Sequence, residues 1–194
     1  MRRLIRNAAL IIGLFTLGCS NSANTPTTPT TAVPGVAQST ARLDPMSATH
    51  GQQLTAVRGT GSGIVNVTPT AAVDGSFSAQ ITVNVHGAPP NTTFYVQRAP
   101  EIGRANGADG ICQRAAGLPP WGPPAPNFVT FPMPAAGPLV TLQTSAGGSG
   151  ATHIDFAAAT IGDGTVFDVM FRLVDDLTSP TNELRTGCFT VTVR

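Results

Sequence analysis

Three stretches of this chain alternate apolar and polar residues with a period of two, and that alternation constrains the fold more than any other feature. Ile81, Val83 and Val85 alternate with Gln80, Thr82, Asn84 and His86. Phe167, Val169, Phe171 and Leu173 are spaced the same way, as are Phe189, Val191 and Val193 near the C-terminus. Successive side chains of an extended strand point to opposite faces, so each stretch reads as a strand with one buried face. Shorter stretches at 53–58, 63–68, 92–98, 128–131, 139–144 and 152–156 read as further strands. Turn-forming pairs lie between them: Asp74-Gly75, Asn106-Gly107, Asp109-Gly110, Gly147-Gly148 and Asp163-Gly164. Eight or nine short half-buried strands, with no helix expected outside the N-terminal segment, predict an all-β domain over 42–194. The expected architecture is an antiparallel β-sandwich, with a closed β-barrel as the alternative.

Two connections carry more detail. The run Asp163, Gly164, Thr165, Val166, Phe167 resembles the corner leading into strand F of immunoglobulin-like domains, with Phe167 where those domains commonly have Tyr. Without the hydroxyl, the hydrogen bond of that corner cannot form. The run Ala88, Pro89, Pro90, Asn91, Thr92 resembles a sandwich connection in which proline sets the turn before the next strand.

The N-terminus has a different character. Arg2, Arg3 and Arg6 precede a short apolar stretch through Leu17, too short to span a bilayer comfortably, which is the layout of a signal peptide over 1–18. It ends in Thr16, Leu17, Gly18 and Cys19, which resembles the lipobox of bacterial lipoproteins, although Thr16 stands where that family prefers Leu. The resemblance implies cleavage before Cys19, diacylation through its sulfur and a lipid-anchored place in the cell envelope. Ser20 after the cysteine implies the outer membrane if the cell has one. The stretch 19–41 is rich in Ser, Thr, Pro and Asn and cannot bury enough apolar surface to fold, so it reads as a disordered tether.

Charge narrows the partners. Only 11% of residues are charged, every basic residue is Arg, and three of the arginines lie in the segment expected to be removed. The remainder is slightly acidic and has no basic cluster, which argues against nucleic acid.

After Cys19 two cysteines remain, Cys112 and Cys188. In an oxidising compartment an even pair predicts a disulfide, here tying the long central loop to the last strand and contributing roughly 4 kcal/mol in the chain-entropy account. The spacing is neither that of a redox motif nor that of a zinc knuckle.

Chemical sites are sparse. His153 and Asp155 share a strand face and His86 lies on the polar face of another strand, so the three could hold zinc or copper if they converged; otherwise they are solvated strand-face residues. Asp163, Asp175 and Asp176 lie near turns without the ordered spacing of a calcium loop. There is no Gly-x-Ser-x-Gly elbow, phosphate-cradling loop or other cofactor motif. The most unusual stretch is a Pro/Gly-rich loop at about 100–138, which carries Arg114 and Trp121, the single Trp. A loop this long is functional or disordered. Trp121 is either a platform for a sugar ring or anchor for a protein, or it folds back to cover one end of the sandwich. The sequence therefore reads as a membrane-anchored, non-enzymatic structural or binding module without a cofactor, the alternative being an envelope metal-binding protein or hydrolase built on His86, His153 and Asp155.

Overall fold

The computed structural model describes residues 50–70, 76–119, 121, 127–132 and 137–193. The expected signal peptide, Cys19 and the segment 19–41 lie outside the described residues. The elements in chain order are β1 (His50–Arg58), β2 (Ser62–Thr70), β3 (Ser76–His86), β4 (Thr93–Pro100), α1 (Gln113–Ala116), β5 (Val129–Thr130), β6 (Thr141–Gln143), β7 (Gly150–Gly162), β8 (Val166–Val174), β9 (Glu183–Arg185) and β10 (Phe189–Thr192). All nine stretches expected as strands form strands.

Every ladder is antiparallel. Strands β1, β2, β3 and β7 lie side by side in one layer; β8 is flanked by β4 and β10 in the other, with β5 and β6 on β4. Strand β9 bonds both β8 and β1, so the two layers are one sheet curled upon itself. Among the described residues no ladder joins β7 to β4, β5 or β6, so the curl stays open and is not the closed barrel. Consecutive strands β3 and β4 separate into opposite layers, and β7 returns beside β3 while β8 returns beside β4. That interlocked order matches the B, C, E and F strands of an immunoglobulin-like sandwich. Strand β8 holds the F place, and Phe167 at its start is buried edge-on against Phe77, with ring centroids 6.0 Å apart.

The alternation read from the sequence supplies the main core. Val65, Val67, Ile81, Val83, Val85, Phe94, Val96 and Leu173 face inward between the layers and are essentially inaccessible. Strand β8 departs from the one-sided pattern because both of its faces are covered. Phe167, Val169, Phe171 and Leu173 enter the main core, while Met170 on the other face joins Ala99, Cys112, Ala115, Phe128 and Cys188 in a second apolar cluster. Cys112, Ala115 and Phe128 come from the long loop, which therefore lies across the outer face of β4 and β8.

Two expectations are corrected. The domain is not free of helix: α1 is a single turn of Gln-Arg-Ala-Ala, too short to show a helical periodicity, closed by Gly117 in the left-handed conformation. The tenth strand, β9, is three residues long and includes Glu183 and Arg185, which leaves no apolar alternation to read.

Candidate functional site

The loop that follows β4 is fixed to the sheet beneath it by two buried acids. Asp168 of β8 is inaccessible to solvent; its Oδ1 accepts the Thr190 hydroxyl at 2.6 Å and its Oδ2 accepts the Gly110 N–H at 2.7 Å. Its backbone holds the same loop, since Glu101 N–H donates to Asp168 O at 2.8 Å and Asp168 N–H donates to Gly107 O at 2.6 Å. Burial pushes the Asp168 carboxyl above its ordinary range, against the pull of the Thr190 and Gly110 donors. A Cβ on Gly107 would stand 2.0 Å from Glu101 O, so this crossing needs glycine.

Glu101 is also fully buried. Its Oε1 accepts the Arg114 N–H at 2.5 Å, which positions the start of α1, while Oε2 has no partner. Burial raises its carboxyl to about 7, the Arg114 N–H opposing and the neighbouring Asp168 and Asp109 assisting. The Cys112–Cys188 disulfide, Cα atoms 5.6 Å apart, ties α1 to the start of β10 as the sequence predicts. At the far end of the loop, Phe128 lies under the guanidinium groups of Arg172 and Arg185, 5.0 and 5.1 Å from its ring centre, and both arginines pair with the buried Glu183.

This framework presents Trp121. Its indole is partly buried, and Arg104 and Arg114 bring their guanidinium carbons to 5.3 and 5.2 Å from the ring centre. Arg114 is itself oriented by a 2.7 Å hydrogen bond from Nη1 to Pro100 O. The indole Nε1–H is buried without an acceptor. Exposed Leu118 and Ile111 lie on the same loop. The result is an aromatic surface with two adjoining cations, suited to a planar or ring-shaped ligand that carries negative charge. The structure unites Trp121 and Arg114, the two residues singled out in the sequence, and adds Arg104, which the sequence reading did not single out.

No known protein family, curated protein or solved structure matches this chain. Its chemistry rests on the residues themselves.

The histidine-based alternative fares differently. His153 Nε2 and Asp155 Oδ1 are 3.2 Å apart on the exposed face of β7, and His153 Nδ1 is 3.3 Å from the Thr82 hydroxyl. His86 instead meets the Ser62 hydroxyl at 2.8 Å. Thr82 is the register partner of His153, and His86 lies four residues beyond it, about 13 Å along the strand. Among the described residues no three His, Cys, Asp or Glu side chains are grouped to hold a metal. The turn aspartates are occupied locally: Asp163 accepts from Gly164, Asp176 from Thr178 and Ser179, and Asp175 from Thr181 and Asn182. They shape turns and the β8–β9 connection.

Proposed function

We propose that this chain is a lipid-anchored lipoprotein of the bacterial cell envelope whose β-sandwich is a non-enzymatic binding module, and that the surface around Trp121 contacts an acidic saccharide. The lipobox-like Thr16, Leu17, Gly18, Cys19 sequence supports the anchor. The disulfide between Cys112 and Cys188 is consistent with an oxidising compartment.

The observation that carries the binding role is the placing of Trp121 against Arg104 and Arg114 on a loop held by a disulfide and two buried carboxylates. A fixed aromatic surface loses little conformational entropy when a ring stacks on it, and the guanidinium groups favour a carboxylate on that ring.

Because Trp121 is the sole Trp, selectively excited Trp fluorescence reads this surface. Titration of the full chain with a trigalacturonate should change the emission, whereas neutral galactotriose should bind about tenfold more weakly or not at all. Arg104→Ala should remove the preference and leave the melting temperature unchanged. An unfolded Trp121→Ala chain would make Trp121 a core residue, and equal response to the two saccharides would end the acidic-ligand reading.

A further inference from the structure

One interior position breaks the pattern that builds the core. On β4, Phe94 and Val96 face inward, and by strand alternation the next inward position is Arg98. Its guanidinium lies over the rings of Phe156 and Phe131, 3.9 and 4.6 Å from their centres. Its Nε has no hydrogen-bond partner, and no carboxylate contacts it among the described residues. A cation partly withdrawn from water without an anion carries a cost, and two aromatic faces recover only part of it.

Beside it lies a half-open cavity of about 40 Å³ between the two layers, walled by apolar side chains that include Phe77, Ile81, Phe167 and Val191. Of its described lining residues, only Arg98, Pro100 and Ile102 are partly exposed, and they lie at the mouth. Strand β7 widens this end: the register jumps from Ala158 opposite Phe77 to Gly162 opposite Ser76, and Ile161 from the unmatched stretch turns into the cavity. On the measure by which one water needs roughly 10–15 Å³, the space holds a few waters' worth of atoms, but its apolar walls offer water few partners. An apolar chamber with a lone cation at its mouth complements a short apolar tail ending in an anion.

We propose that this cavity binds the tail of a small amphipathic carboxylate, with Arg98 at the mouth holding the head group. Burial beside Arg114 lowers Arg98 only to about 10, so the guanidinium stays charged at neutral pH. The site is separate from the Trp121 surface. Pro100 links the two, its carbonyl held by Arg114 and its ring lining the mouth.

The test uses hexanoate and hexan-1-ol, titrated into the full ¹⁵N-labelled chain in detergent-free buffer and followed by NMR. Hexanoate should bind at least about tenfold more tightly than the alcohol and move the Arg98 Nε–H resonance. Arg98→Met, which keeps an apolar stem, should abolish the preference, and Ala79→Leu, which fills the chamber, should weaken both ligands. Trp121→Ala should leave hexanoate binding intact, separating this site from the saccharide reading. Equal affinity for acid and alcohol, no binding of either, or an unmoved Arg98 resonance would show that Arg98 only caps the sandwich. Those wild-type results decide the matter even if Arg98→Met does not fold.

Discussion

At the scale of single residues, Glu101 is a side chain whose environment conflicts with its charge. Its carboxyl is raised from 4.5 to about 7 by burial, with one oxygen bonded and the other unpartnered. Between those two values the folded chain holds a proton that the unfolded chain has released. The stabilisation is therefore complete below about 4.5 and lost as pH rises through about 7. Asp168, also raised by burial, contributes with the same sign. The Glu101 contribution amounts to about 1–3 kcal/mol. Glu101→Gln keeps an acceptor for the Arg114 N–H and has no charge to bury. Its stability should fall less steeply than that of the wild type from pH 5 to 8, the remaining slope coming from Asp168, and should exceed the wild type at pH 8, as measured by urea unfolding at both values. An unchanged slope would mean that the pH dependence arises elsewhere.

The elements were legible in proportion to how one-sided their burial is. Strands β3 and β10 expose one face and show clean alternation, so the sequence marks them without ambiguity. Strand β8 was legible too, although Asp168 and Met170 on its second face are as buried as their neighbours; only the loop lying over them accounts for that. The turn α1, the strand β9 and the Arg104 contact with Trp121 owe their form to tertiary partners and leave no local signal. Arg98 was read as the end of a strand, but its inward face could be assigned only once Phe94 and Val96 were placed. The Cys112–Cys188 link closes a separation of 76 residues, worth about 4.5 kcal/mol in the chain-entropy account, and joins the loop to β10. Replacing both cysteines by serine should lower stability by about 2–4 kcal/mol. Hydrogen exchange should quicken first at Gly110 and Arg114, whose amides bond the loop to the Asp168 and Glu101 carboxylates, while β3 and β7 stay protected. Uniformly faster exchange across the strands would show that the loop and the sandwich form one cooperative unit.

At the scale of the whole molecule, the proposed lipid on Cys19 is the feature from which membrane attachment is predicted. Among the described residues no helix is long and apolar enough to cross a membrane, and the chain beyond the expected signal peptide has more acidic residues than arginines, so it offers little attraction to an anionic lipid surface. A single acyl chain holds a protein only marginally and reversibly, since each buried CH₂ adds about 0.8 kcal/mol, whereas two chains on one sulfur anchor it stably. The native chain should therefore sediment with membranes and resist a wash with high salt. Cys19→Ser should move it to the soluble fraction while leaving the melting temperature of the sandwich unchanged, because every contact described above lies within 50–193. If Cys19→Ser still sediments with membranes after the salt wash, attachment comes from another part of the chain. If the native protein is released by salt, the association is electrostatic and the lipid anchor is excluded.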